Sequence, residues 1–397
     1  MPLPAVGVDG TLGDAEHRQG VSDEGWRRPP MQDDNSPVTE RDGPKAETPR
    51  IVDTPAAWLA AELETSTEWR HTFDPEEVAE LDAAIAVARD HSPRLEPSRL
   101  GAEQFPLPTL TALVERIRRE LVDGPGVMLV DGFPVDHYAS NELRAVWWCL
   151  GNHIGTPLSQ SWRGDVMGDV RDIGTGIGGA AGRGYTSNAE LSFHSDAADV
   201  TALFFLRQAK SGGVTRLASS VAVHNEIIRR RPELMELLYE PVPVSWQSNQ
   251  PEGEKGWYLQ PVYGRQGDDV ACAYVRTNVT MAAENVGAPP LRPEQFEAVQ
   301  YVQEVAAEPQ FWIERQLGPG SMVFVSNHTA FHMRTKFVDH DDPALKRHLL
   351  RLWLCLPNGR RLPDTFTEFF GDTGAGALRG GYQSRDGQRR FETAPAG

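Results

Sequence analysis

The chain reads as a mainly β protein, a core of short strands wrapped by helices. Three observations lead there. Long stretches with 3.6-residue apolar periodicity gather in the first third. From about residue 190 short apolar runs dominate, punctuated by glycine, proline and asparagine, and only two helical patterns interrupt them. The regular strand–helix alternation that a doubly wound parallel sheet needs is absent.

Taken in order, residues 1–50 are rich in Pro, Gly, Asp and Glu and lack a periodic apolar pattern, so a disordered tail is expected there. One domain is expected over 51–397: a helical part at 54–124, the β core at about 125–360, and a C-terminal extension at 361–397. DTPAAWLAAELE predicts a helix capped by Asp53 or Thr54, with Pro55 in its first turn. FDPEEVAELDAAIAVARDH predicts a second helix, and LPTLTALVERIRRELVDG a third ending at Gly124. GVMLVDGF suits a buried strand, and NELRAVWWCLGNHIG a further helix whose Trp147–Trp148 pair reads as packing. Strands are expected in LSFHSDAADVTALFFLRQA, GGVTRLASS, GWYLQPVYG, DVACAYV, SMVFVSNH and RHLLRLWLCL. The two helical inserts are VAVHNEIIRRRPELMELLYE, with Arg229–Arg231 before Pro232 at a helix junction, and RPEQFEAVQYVQEVAAE. His153 and His224, on helices, read as structural histidines.

Composition narrows the function. The 397 residues include 39 Lys and Arg against 56 Asp and Glu, a net charge of −17. Such a body repels phosphate backbones, so a small molecule, not nucleic acid, is the expected partner. No stretch reaches the roughly 18 apolar residues of a membrane span, and the first residues have no basic and apolar leader pattern. Cys149, Cys272 and Cys355 are too scattered for a disulfide framework; reduced thiols in the cytoplasm are expected. Oligomeric state is not legible. The string GTGIGG at Gly174–Gly179 matches a dinucleotide fingerprint only as text. The residues after it, AAGRGYTSN, continue as glycine-rich loop where a fingerprint requires a helix.

The informative segment is LSFHSDAADV. His194 and Asp196 lie two apart, and in a strand such residues project from one face. A histidine from a distant strand would complete a two-His-one-carboxylate set, the arrangement of non-haem Fe(II) oxygenases. Far downstream, GPGSMVFVSNHTAFHMRTKF offers two candidates, His328 and His332. Arg347 and Arg351 follow in RHLLRLWLCL, four apart and so on one face. A guanidinium fork matches a carboxylate in a way an ammonium cannot.

These pieces resemble the taurine dioxygenase/clavaminate synthase-like family of Fe(II)- and 2-oxoglutarate-dependent dioxygenases, over roughly residues 120–380. FHSDAADV is similar to the family's first metal strand, SGGVTRLASS to its Gly-Gly-x-Thr segment, NHTAFHMRTKF with RHLLRLWL to its distal-histidine and arginine segment, and GRRLPDTFTEFFG to its ending. The resemblance implies a double-stranded β-helix, or jelly roll, with helices outside. It implies Fe(II) on His194, Asp196 and His332, with His328 as the competitor for the third place. It implies 2-oxoglutarate on Thr215 and Arg347, with Arg351 either competing for the cosubstrate or facing an acidic group of the substrate. It implies O2 as the other cosubstrate, release of succinate and CO2, and hydroxylation of a small polar metabolite such as an amino acid or a derivative. Asp196 argues against halogenation, since the family's halogenases lack that carboxylate. Desaturation or ring closure with the same ligands stays open. So does a non-catalytic metal-binding relative of the fold, or an oxygenase of a basic protein tail. Tyr185, Ser187, Asn188, Gln160 and Trp162 are pocket candidates for which loop and packing roles are equally open.

Overall fold

Residues 48–174 and 184–392 are described by a computed structural model; the expected tail at 1–47 and most of the GTGIGG string lie outside them. Two sheets face one another. The larger has the order Arg70–Thr72, Val127–Asp131, Met322–Ser326, Val200–Arg207, His348–Cys355 and Thr156–Leu158, and Gly168–Val170 also pairs with His348–Cys355. The smaller has the order Trp312–Arg315, Thr215–Ser219, Ala330–Arg334, Leu191–His194. All pairs are antiparallel except the first of the larger sheet. This is the expected helix-wrapped jelly roll.

Strand alternation divides the apolar residues into three layers. On Val200–Arg207, Val200, Ala202, Phe204 and Leu206 turn outward into a core shared with the helices Pro75–His91, Thr111–Val122 and Ser140–Ile154. Leu203 and Phe205 turn inward, into the space between the sheets, where Leu217, Ile313, Val325, Ala330 and Leu349 meet them. Behind the smaller sheet, Phe193, Ala218, Phe331 and Met333 pack on the helices Ser220–Arg230, Pro232–Leu238 and Pro293–Ala306. Trp147 is fully buried, with ring centroids 5.4 Å from Phe204 and 5.7 Å from Phe324. Burial of a side chain this large stabilises by roughly 1.5–3 kcal/mol or more. The interior face, between the sheets, is where polar residues also appear.

Several expectations needed correction. The first helix spans Ala60–Thr65, not Asp53 onward. Tertiary hydrogen bonds override the helical pattern: Val52 exchanges two backbone bonds with the Asn225 amide, and the Ser219 hydroxyl donates to the Ala56 carbonyl. GWYLQPVYG divides at Pro261, which has no N–H to donate. Trp257–Gln260 pairs with Val242–Ser245, and Tyr263–Gln266 pairs with Asp269–Cys272, as two small ribbons outside the main sheets. The strand Trp312–Arg315 was not anticipated; its sequence WIER is too short and charged to stand out. The insert at 221–240 is two helices broken at Arg231–Pro232, where the sequence placed the junction.

Candidate functional site

His194 ends one strand of the smaller sheet and His332 sits directly opposite on its neighbour. Their outward neighbours Phe193, Phe331 and Met333 are locked in the apolar layer behind the sheet, so period-two alternation turns both imidazoles inward. The ring centroids are 4.2 Å apart. Asp196, just past the strand end, completes the group. His194 Nε2 lies 4.0 Å from Asp196 Oδ1, and His332 Nε2 lies 3.7 Å from Asp196 Oδ2. One donor atom from each of the three falls within 4.8 Å of the others.

These separations are too long for hydrogen bonds. They suit donors gathered about 2 Å from one shared cation. Protonation fits as well. His194 Nδ1 lies 2.8 Å from the Ser192 carbonyl, which can only accept, so the proton sits on Nδ1 and the Nε2 lone pair faces the gap. Burial, with the adjacent His194, drives His332 down to about 3, so its imidazole is neutral. Burial works to raise the Asp196 carboxyl, but Arg351, His332, His194 and the Thr201 hydroxyl together hold it well below the usual carboxylate range. Two histidines and one carboxylate are the donor set of a divalent non-haem iron site.

Asp196 is fixed from behind. Its Oδ2 accepts from the Thr201 hydroxyl at 2.7 Å and from Trp353 Nε1 at 2.9 Å, and its backbone N–H donates to Asn327 Oδ1 at 2.9 Å. Arg351 Nη1 approaches the same Oδ2 at 3.6 Å. Arg351 is itself clamped by Gln160, which accepts from its Nε at 2.7 Å and donates to its backbone carbonyl at 3.0 Å. Its guanidinium stacks 4.5 Å from the Tyr185 ring and 5.1 Å from the Trp353 ring. Arg351 thus belongs to the metal end of the interior.

Arg347 is different. It sits one residue before the strand His348–Cys355, not within it, on the same face as Arg351. It is buried, its Nη1 has no hydrogen-bond partner, and it forms no ion pair among the described residues. Burial, followed by the nearby charge of Arg334, lowers its guanidinium to about 9. Thr215 is buried on the inward face of the smaller sheet, on the strand paired with Ala330–Arg334. The turn leading to it explains the Gly-Gly-x-Thr pattern. Gly212 and Gly213 both adopt left-handed conformations, φ +73° and +69°, and a Cβ at Gly213 would lie 3.2 Å from Arg347 Nε.

His328 goes elsewhere. Its Nε2 lies 2.9 Å from Asp199 Oδ1, which also accepts from Arg379 Nε at 2.8 Å. It is a strut holding the C-terminal extension to the barrel. Thr201, Trp353, Arg334 and the Asp199–Arg379 pair were not picked out from sequence. Two of them carried a signal: Trp353 stands two residues from Arg351 and Arg334 two residues from His332, so each shares its neighbour's face. Tyr185 and Gln160 lie against Arg351. Trp162 instead stacks on Arg385, 4.9 Å away.

Comparisons with known proteins agree with this geometry. Residues 91–353 match the model of the taurine catabolism dioxygenase TauD, TfdA family. FR-33289 synthase of Streptomyces rubellomurinus is 30% identical over 319 residues, 79% of this chain and 92% of that protein. The taurine hydroxylase-like protein SAT17 of Stachybotrys chartarum is 28% identical over 306 residues, 75% and 77% of the two chains. In fold, the chain is similar to asparagine oxygenase in complex with Fe(II), 2S,3S-3-hydroxyasparagine and succinate (TM-score 0.56, 18% identity, 72% of this chain and 93% of that one). It is also similar to the non-haem iron oxygenase OrfP in complex with Fe and alpha-ketoglutaric acid (TM-score 0.53, 15% identity, 78% and 99%). Because the family model spans most of the chain and includes both strands that meet at His194 and His332, this protein belongs to the TauD/TfdA family and is a non-haem Fe(II)- and 2-oxoglutarate-dependent oxygenase.

Proposed function

We propose that the chain hydroxylates an aliphatic C–H bond of an amino acid or amino-acid derivative, with His194, Asp196 and His332 holding the iron. The observation that carries this is the inward cluster of two histidines and one ionised carboxylate, with donor atoms within 4.8 Å. Bound iron supplies the oxidising power for the C–H bond, using O2 and splitting 2-oxoglutarate into succinate and CO2. Arg347 takes the cosubstrate's distal carboxylate; its burial and unpaired Nη1 support this. Thr215 adds a hydroxyl from the facing sheet. Arg351, held by Gln160 beside Asp196, faces the substrate side and offers a cation to an acidic group there. Asp196 stays ionised because Arg351, His332, His194 and the Thr201 hydroxyl favour its charge, and Trp353 holds it in place.

The amino-acid reading draws support from the neighbours: asparagine oxygenase is seen with 3-hydroxyasparagine, and OrfP with (3S)-hydroxy-L-Arg. We place the enzyme in the cytoplasm as a single domain over 51–397. Three buried free cysteines support a reducing compartment. Among the described residues no helix is long and apolar enough to cross a membrane. The test is a screen of free and derivatised amino acids read by succinate release and by a mass increase of one oxygen. A product that has instead lost two hydrogens reassigns the reaction to desaturation or ring closure. Succinate release no higher with any amino acid than without one refutes the substrate class.

A further inference from the structure

Two buried guanidinium groups stand side by side at the end of the interior away from the metal. Arg334 lies two residues beyond His332 on the same strand, hence on the same inward face and about 6.6 Å further along at roughly 3.3 Å per residue. Its cross-strand partner is Thr215. Arg334 and Arg347 stack on one ring, Phe337, at 4.7 and 5.2 Å. Both are buried, at 6% and 4% exposure. Arg334 donates from Nη2 to the Ala189 carbonyl, but its Nε is unpartnered, as is Arg347 Nη1.

The nearby carboxylates act on them only through charge at a distance. Asp339 accepts the backbone N–H of Arg347 and acts on its side chain without an ion pair, as Asp172 does on Arg334. Among the described residues neither arginine forms an ion pair. Two desolvated cations packed on one ring are costly unless an anion joins them.

We infer that Arg334 is a second residue for the cosubstrate's distal carboxylate, acting beside Arg347 and making the site select a dicarboxylic over a monocarboxylic keto acid. This rests on the role of Arg347 proposed above. The reach fits: one residue pair along the strand separates the metal-facing histidine from Arg334, comparable to the length of a five-carbon diacid. Nothing in the metal cluster depends on Arg334, so the charge acts at one end of the cosubstrate only.

The test is anaerobic calorimetry on the full Fe(II)-loaded protein, titrating 2-oxoglutarate and, separately, 2-oxopentanoate, which has the same chain without the distal carboxylate. Arg334→Gln should weaken 2-oxoglutarate binding by roughly ten- to a hundredfold, the scale of a lost charge-assisted hydrogen bond. Its affinity for 2-oxopentanoate should match the unmodified protein. Arg334→Lys should recover part of the loss, since it restores the charge without the fork. If both keto acids weaken together, Arg334 only supports the backbone at Ala189 and the inference fails. If Arg334→Gln binds 2-oxoglutarate normally while Arg347→Gln does not, the inference fails and the role of Arg347 stands. If Arg347→Gln binds normally, the proposed role of Arg347 is what has failed.

Discussion

His328 and His332 stand on one short segment, and their surroundings give them opposite work. His332 faces a carboxylate across 3.7 Å, beyond hydrogen-bonding range, whereas His328 is bonded to Asp199 at 2.9 Å. Replacing His332 by Ala should abolish iron retention and activity with little loss of fold. Replacing His328 by Ala should keep iron and lower stability by about 1.5–3 kcal/mol, the cost of losing a buried hydrogen bond to a charged group. Iron content after desalting and denaturant midpoints of the metal-free proteins separate the two; iron loss from the His328 variant alone would reverse the assignment. Trp353 offers a finer test. Its indole N–H holds Asp196 Oδ2 at 2.9 Å, so Trp353→Phe keeps the ring's packing but frees the carboxylate. Groups that orient a metal ligand typically contribute 10- to 100-fold in affinity. Fe(II) affinity should fall by about that factor while the melting temperature changes little, and an unchanged affinity would show that Thr201, Arg351 and Asn327 orient the carboxylate without Trp353.

At the scale of elements, the site is made by strand parity and by one turn. The turn at Gly212–Gly213 lies against Arg347 and redirects the chain so that Thr215 enters the interior opposite Arg334. Gly213→Ala meets two obstacles: a left-handed backbone conformation and a Cβ contact of 3.2 Å with Arg347 Nε. The first costs roughly 1–2 kcal/mol, and the second displaces the guanidinium. The 2-oxoglutarate requirement should therefore rise while iron binding is retained, a split that steady-state titration of the cosubstrate and an iron assay reveal together. Equal cosubstrate requirements would mean that the turn is merely structural. These devices were partly legible. The H-x-D pair and the Gly-Gly-x-Thr segment are local strings whose spacing already implies one face or a tight turn. The clamp of Gln160 on Arg351 and the bond from Trp353 to Asp196 were not, because each joins residues more than 150 positions apart and depends on strand register. The first helix was misplaced for a related reason: the partner that straightens residues 52–56 is Asn225, which only the fold brings near.

At the scale of the whole molecule, the sheets and helices were foreseeable from periodicity, since inward and outward residues alternate cleanly over the long strands. The short strands Arg70–Thr72, Thr156–Leu158, Gly168–Val170, Val242–Ser245 and Trp312–Arg315 were not, because three or four residues carry too little pattern. The layer behind the smaller sheet hides a histidine that couples folding to pH. His224 is fully buried, with Nε2 2.9 Å from the Tyr239 hydroxyl and Nδ1 3.3 Å from Asn225 Oδ1. Tyr239 can donate to Nε2 and Nδ1–H can donate to Asn225, so the neutral ring is satisfied, and among the described residues no carboxylate pairs with it to welcome a proton. Burial holds it down to about 4. In the unfolded chain the same ring titrates near its ordinary 6.5. As pH falls below that value the unfolded chain takes up a proton that the folded chain refuses, so stability declines until the folded ring also titrates, near pH 4. The gap corresponds to roughly 3 kcal/mol at about 1.4 kcal/mol per pH unit. Urea unfolding of the metal-free protein between about pH 7 and pH 5 should show this decline, on top of contributions from other groups. His224→Leu should be less stable at neutral pH, because the buried bonds between the ring and Tyr239 and Asn225 are lost, but its stability should fall less steeply on acidification, by up to about 1.4 kcal/mol per unit. Subtracting one curve from the other removes the titrations of His328, His332 and Asp199 common to both. If the two curves run parallel, His224 titrates in the folded protein as it does in the unfolded chain and its burial does not couple folding to pH.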